Sequence, residues 1–424
     1  MKRVSALLAA LFFLILAGCG GGGSASSSGG PGSVSVRYVG AQPMRYYEVV
    51  MNYNGDSEYH MGQLYGQALI SRSSSLEAGY AAYFVGLSNY ATLMTRVQQI
   101  KNQIPGEYRE FLNGLASQFK GETNDPNDGK LSPDEVFYFS LVGSVNRGSQ
   151  CSAIAVYGTA SVTGKSIIGR LFDWTGNATT AVFYINKGHR SIMSIGNLMD
   201  HSMVTGLNKD GIFVALLDSS TGEVFPASLD TYYSYAFDLR YALDNFSTIE
   251  AVAGYMQHNK YTFNHLVVIG DRNTVQVLEN DLTGNRTLRE AGSELNPGIT
   301  WGFTDAVGAV NAFLLKNNYD NFSTNSFNTY RWQSIKDQLN FYLVDDNKIS
   351  VNEMKKITTF YGTDIIQLND GVIMNTSTQH IVVYDSSAPA LYVFFRNNRG
   401  IGSANTETTF DVNNPEFLNI PVQF

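Results

Sequence analysis

The chain has 424 residues, 44% hydrophobic and 16% charged, with a formal net charge of −8 and two cysteines. That length allows one large domain or two ordinary ones with an ample core, whereas an acidic chain without a basic block is a poor partner for nucleic acid. Two cysteines cannot build a disulfide scaffold, and six histidines without an HExxH or Cys/His cluster argue against a zinc site, so neither metal nor cofactor is expected.

Met1-Lys2-Arg3 and the apolar run to Ala17 have the basic head and hydrophobic stretch of a secretory leader. The run ends in Leu16-Ala17-Gly18-Cys19, which resembles the bacterial lipobox. That resemblance implies removal of residues 1–18, a lipid on Cys19 and attachment to the membrane through it. An ordinary leader or a single anchor helix is the alternative, but the run is shorter than the roughly 20 residues a spanning helix needs. Gly20, in place of an acidic residue, favours the outer over the inner membrane of a bacterial cell envelope. Residues 19–35 read as a Gly/Ser tether. With lipid on Cys19, Cys151 is a lone thiol in an oxidising compartment, either buried and inert or kept for its reactivity.

Residues 36–150 read as mostly helical. Met61, Leu64, Tyr65 and Leu69 recur at helical spacing, as do Tyr80, Tyr83, Phe84 and Leu87, and 104–119 is amphipathic. The polar stretch from Asn124 to Glu135 invites an EF-hand reading, but its third position is Pro126, which offers no side-chain oxygen, so a plain connecting loop is expected. From Cys151 the texture changes to short strands at 151–157, 166–172, 180–185 and 211–217. Helices are expected at 232–243 and 249–258, strands at 265–270 and 274–279, and helices at 330–339 and 351–360. Strands at 371–374, 380–384 and 391–396 close the chain. Strands, then helices, then strands imply antiparallel sheet with helices outside, an α+β layered domain.

Two motifs are near misses. Gly158 to Ser166 has five residues between its glycines where a phosphate loop has four, and a strand follows where a helix is required, so it reads as a hairpin turn. No GxSxG elbow is present. His189, His201 and His380 are scattered singly, and each reads as an ordinary surface or core imidazole.

The chemistry lies in Gln150-Cys151-Ser152-Ala153-Ile154-Ala155-Val156, followed after a turn by Gly169-Arg170-Leu171-Phe172-Asp173-Trp174. A cysteine opening one strand and a charged pair closing the next would bring a thiol, a guanidinium and a carboxylate to one sheet end. Residues three apart on an ideal strand face opposite ways, so Asp173 must pass the strand end or meet a bulge to share a site with Arg170.

Here the sequence resembles the N-terminal-nucleophile hydrolases that cleave linear amides: the choloylglycine hydrolases and, closer, the acyl-CoA:6-aminopenicillanate acyltransferase (peptidase C45) type. Gly206-Leu207-Asn208-Lys209-Asp210-Gly211 resembles their GxNxxG turn, with Asp218 beyond it. Val310-Asn311-Ala312-Phe313 resembles their TNHF segment, and Asn328-Thr329-Tyr330-Arg331-Trp332 their Ser-x-x-Arg-Tyr segment. Upstream, Gly62-Gln63-Leu64-Tyr65-Gly66 and Glu110 to Ala116 resemble helices of acyltransferase-type pro-segments. Ala312, Val310 and Asn328 depart from the family pattern.

The resemblance implies a four-layer αββα sandwich, with 36–150 a helical pro-segment and 151–424 the catalytic domain. It implies autocatalytic cleavage between Gln150 and Cys151, which makes the new α-amine a base attached to the nucleophile. Cys151 would then attack a small-molecule amide or N-acyl substrate through a thioester, with Asn311 at the oxyanion. Arg170 and Asp173 would hold thiolate and amine, and Asp218 and Arg331 would surround them. The pro-segment either stays associated or is released. Each residue has a plain alternative: Arg170–Asp173 an ion pair, Asp218 and Asn311 turn or cap residues, Arg331 a solvated helix arginine. Transfer of the acyl group to an amine, or non-catalytic binding at the cell surface on the same scaffold, are the alternative functions.

Overall fold

The computed structural model describes residues 31–40, 45–146, 149–174, 180–219, 226–319, 321–360, 373–375, 377–395 and 416–424. The leader, Cys19 and the start of the tether lie outside them. The chain begins with β1 (Ser33–Val39) and β2 (Tyr46–Asn52). Helices α1 (Glu58–Arg72), α2 (Ser74–Ala81), α3 (Tyr90–Ile100), α4 (Gly106–Ala116) and α5 (Pro133–Val145) follow. Next come β3 (Ser149–Val156), β4 (Ile167–Trp174), β5 (Thr180–Asn186), β6 (Ile192–Asn197), β7 (Thr205–Asn208) and β8 (Phe213–Asp218). Then α6 (Tyr235–Asn245) and α7 (Ile249–Met256) precede β9 (His265–Gly270), β10 (Val275–Asn280), β11 (Arg286–Arg289) and β12 (Ala306–Ala309). The remainder is α8 (Ser326–Tyr342), α9 (Val351–Thr358), β13 (Thr378–Asp385), β14 (Ala390–Phe395) and β15 (Leu418–Pro421).

Among the described residues the strands form two sheets, β1-β2-β5-β6-β7-β8-β9-β10-β11 and β12-β3-β4-β13-β14-β15. Their pairings are antiparallel, apart from β2 with β5. Apolar side chains of alternate strand positions divide into three cores. Cys151, Ala153, Val182, Val268 and Val382 pack between the sheets. Val49, Phe183, Val214 and Val267 meet α1 and α3–α7 on the outside of the long sheet. Ile154, Leu171 and Ile381 meet α8 and α9 outside the short one. The order of layers is therefore α, β, β, α, as expected.

Two local expectations need correction. The segment 36–150 is not helical at its start, because β1 and β2 join the long sheet, and β1 begins at Ser33 inside the span read as tether. Ile373 and Met374 form a bend rather than strand, with 371–372 outside the described residues.

The glycines of the upstream motifs have a packing reason. A Cβ on Gly62 would collide with the carbonyl oxygen of Phe111, and one on Gly114 with that of Tyr59. Helices α1 and α4 thus touch backbone to backbone, which side chains at those positions would prevent. The 124–135 loop ends in a capping box: Ser132 accepts from Glu135 N, while the Glu135 carboxylate accepts from Ser132 N at 2.7 Å and from Tyr90 Oη at 3.1 Å. Between Gly158 and Ser166 the chain turns from β3 into its antiparallel partner β4, so a strand does follow the glycine-rich stretch.

Candidate active site

The strand pairing decides which way each group of the site faces. Cys151 lies opposite Phe172, and Ala153 opposite Arg170, in the β3–β4 register. Cys151 and Arg170 are therefore diagonal neighbours on the face turned toward the long sheet, within reach of a long side chain. The Arg170 guanidinium is fully buried. Its Nη2 donates to Cys151 Sγ at 3.5 Å and to Leu216 O at 2.9 Å, and Nη1 donates to Leu171 O.

The Cys151 backbone is held just as closely. Cys151 N donates to Asn311 Oδ1 at 2.6 Å, and Asn311 Nδ2 donates to Asp218 O at 2.6 Å, so Asn311 bridges the two sheets. Asn311 follows β12, which pairs with β3 and brings the two residues together. Arg331, on α8, donates through Nη1 to Cys151 O at 2.8 Å and Ser152 Oγ at 3.0 Å. Through Nη2 it donates to Asn311 Oδ1 and Asn328 Oδ1, both at 2.8 Å. Asn328 Nδ2 returns to Asn311 O at 2.9 Å. Arg331 is 2% exposed and so is not a solvated helix arginine. Burial lowers its affinity for the proton, opposed by Asp173 and Cys151.

Asp173 takes the other face. Its Oδ1 accepts from Thr378 Oγ1 at 2.6 Å, its Oδ2 from Asn375 Nδ2 at 2.8 Å, and Arg331 Nη1 stands 3.8 Å away. Burial raises the carboxyl above its ordinary range, against the pull of Arg331, Thr378, Asn375 and, least, Arg170. A bulge does fall here, but on β13: Thr378 pairs with Asp173 and His380 with Phe172, leaving Gln379 over. The strand alternation of β4 stays intact. Arg170 consequently turns to Leu216 of the long sheet and Asp173 to Arg331 on α8, with no ion pair between Arg170 and Asp173 among the described residues. They frame Cys151 from opposite faces of one sheet and do not share a face.

Asp218 ends β8 and helps line a cleft of about 1090 Å³, counting its open mouth. The walls come from both sides of the Gln150–Cys151 bond: Tyr80, Tyr83 and Tyr138 before it, Phe172, Trp174 and Leu216 after it. Gln150 pairs with Asp173 along the backbone, while its side chain lies outside the described residues. Asn208 is a turn residue, accepting from Asp210 N and Ile212 N between β7 and β8.

Ser152, Asn328, Asn375 and Thr378 belong to the hydrogen-bonded shell, although the sequence offers none of them as a candidate site residue. Asn328 in particular, a departure from the family pattern, adds a second link between Arg331 and Asn311 beside their direct hydrogen bond. His380 is another. Its buried ring stacks on Phe172 at 5.1 Å, and burial, with Arg170 nearby, holds its affinity for the proton well below the ordinary imidazole range. Neither ring nitrogen has a hydrogen-bond partner among the described residues.

No protein-family model matches the chain, and no curated protein matches it. Solved structures similar to it include a Caenorhabditis elegans ortholog of N-acylethanolamine-hydrolyzing acid amidase, 14% identical over 56% of this chain and 94% of that one, with a TM-score of 0.35. A conjugated bile acid hydrolase from Clostridium perfringens is 12% identical over 64% and 97%, with a TM-score of 0.36. Penicillin V acylase from Agrobacterium tumefaciens is 16% identical over 58% and 83%, with a TM-score of 0.33.

Proposed function

We propose that the chain is a self-processing cysteine amidohydrolase that cleaves linear amide bonds through a thioester, held at the cell envelope by a lipid on Cys19. One observation carries the chemical part: the nitrogen, oxygen and sulfur of Cys151 are each engaged by a different polar side chain, Asn311, Arg331 and Arg170. An inert core cysteine needs none of these. The ordered motifs along the sequence support the same reading, and the lipobox-like residues before Cys19 support the anchor.

In the uncut chain Cys151 Sγ adds to the Gln150 carbonyl carbon, the C–N bond breaks, and a thioester and a free amine result. Water then releases the Gln150 carboxylate and the thiol. The new amine, with an ordinary pKa of about 8, accepts the thiol proton. The Arg331 guanidinium close by disfavours the ammonium form and so keeps a base available, and the Arg170 cation beside sulfur favours the thiolate. In turnover Cys151 attacks the substrate carbonyl, the Asn311 amide stabilises the oxyanion, the amine leaves with a proton, and water frees the acid.

The segment before the cut stays in place. β2 sits between β1 and β5, and Lys187 and Arg190 of the later part bind Glu58 and Glu107 of the earlier part. The test is intact-mass and N-terminal analysis of the purified protein. A chain beginning at Cys151 is expected in the wild type and missing from Cys151→Ala. One uncut chain in both proteins overturns the proposal.

A further inference from the structure

The cleft beside Cys151 is aromatic, with Tyr80, Tyr83, Tyr138, Phe139 and Trp174 in its walls. Its charged lining has one sign. Asp200 and Asp218 belong to it, and no lysine, arginine or histidine does among the described residues. Asp200 lies in the turn after β6, where Oδ1 accepts from Ser202 N at 2.7 Å and Ser202 Oγ at 2.6 Å. Those bonds fix the carboxylate plane and leave Oδ2 without a hydrogen-bond donor among the described residues. Asn197, which also lines the cleft, has its Oδ1 taken by Tyr80 Oη at 2.8 Å and Met199 N at 3.0 Å. A cleft that offers the Asp200 carboxylate and π-faces but, among the described residues, no lining cation favours a donor of positive charge.

We infer that this cleft recognises a substrate bearing a protonated amine on an apolar body, with the ammonium held by the Asp200 carboxylate and the surrounding rings. Burial pushes Asp200 up to about 6, against its Ser202 hydrogen bonds and, least, the charge of Arg240, so a further cation bound at the carboxylate relieves the cost of keeping it charged. The cleft adjoins the thiol's own partners, since Leu216 and Asp218 line it and their carbonyls hold Arg170 and Asn311. The inference rests on the amidohydrolase reading for its substrate class, the ammonium being a second nitrogen distinct from the amide that is cut.

Binding tests it apart from turnover. Phenethylamine and its uncharged isostere 2-phenylethanol are titrated calorimetrically at pH 7.5 into the wild type and Asp200→Asn. The ammonium is expected to bind about tenfold tighter or more, the scale of a charge-assisted over a neutral hydrogen bond. Asp200→Asn is expected to bring the two within about threefold. Equal binding in the wild type, or a preference that survives Asp200→Asn, overturns the inference. The wild-type comparison decides alone should the variant fail to fold, which a circular dichroism melt reveals. Hydrolysis of paired amides with and without the extra amine separates the two readings: turnover without preference overturns the inference and keeps the amidohydrolase. An ammonium preference in binding without hydrolysis of either amide does the reverse.

Discussion

Two buried guanidinium–carboxylate pairs flank the segment that carries Asn311, and they are built differently. Arg289 and Glu279 meet at 2.7 Å. Arg289 also donates to Gly308 O, while Glu279 accepts from Leu314 N, Leu315 N and Asn318 Nδ2, each at 3.0 Å. That pair is closed, and it fastens the backbone on either side of Asn311. Arg331 and Asp173 stand 3.8 Å apart. Their hydrogen bonds go outward, those of Arg331 to Cys151, Ser152, Asn311 and Asn328. The closed pair holds a loop. The open pair holds the backbone of Cys151. Asp238 marks a third condition, a buried carboxylate with hydrogen bonds from Asn259 and Tyr261 but no cation bonded to it.

The contrast can be broken most forcefully at Glu279. Glu279→Ala leaves the Arg289 charge buried and alone and is expected to cost about 3–5 kcal/mol in chemical denaturation. A loss below about 1 kcal/mol would mean that the closed pair fastens nothing. Asp238 sharpens the comparison from the other side. Burial pushes its carboxyl up to about 6, whereas an unfolded aspartate titrates near 3.9. Between those values the folded chain holds the extra proton, so this contribution is full below about 4 and is lost as pH rises through 6. The shift corresponds to about 3 kcal/mol. Asp238→Asn should therefore gain up to that amount at pH 8 and little at pH 4, as urea titrations at the two values would read. Arg331→Met should cost the least stability, about 1–3 kcal/mol, yet slow self-cleavage about a hundredfold in a time course of intact mass. Equal destabilisation to Glu279→Ala with unimpaired cleavage would make the two pairs the same kind of object.

Much of this was legible in the sequence, and what was not has physical causes. Cys151, Arg170, Asn311 and Arg331 are legible as candidates because each sits in a short motif and the motifs are ordered along the chain, and the structure brings the four side chains together. The antiparallel β3–β4 turn was legible because its glycines and flanking Val and Ile residues are contiguous. Asn375 and Thr378 were invisible, since their tie to Asp173 crosses about two hundred residues and leaves no spacing signal. β1 did carry a signal, the alternation Ser33-Val34-Ser35-Val36, but the Gly/Ser-rich run before it absorbed those residues into a tether. Helix α5 hid for another reason. It is buried nearly all round, so Phe137, Tyr138 and Phe139 follow one another without a polar face to reveal a period. The facing of Arg170 and Asp173 was correctly doubtful from strand parity, and only the neighbouring sheet and helix decide where each side chain goes.

The parallel pairing of β2 with β5 has one further consequence. An intact chain joins those strands as parts of a single polymer, so their meeting is unimolecular. Once the bond before Cys151 is broken, the same strands belong to separate molecules, and reassembly after unfolding depends on concentration. Maturation would then act as a ratchet: the shape is reached with a connection that the finished protein no longer possesses, and a cell cannot recycle the unfolded pieces as readily as it made them.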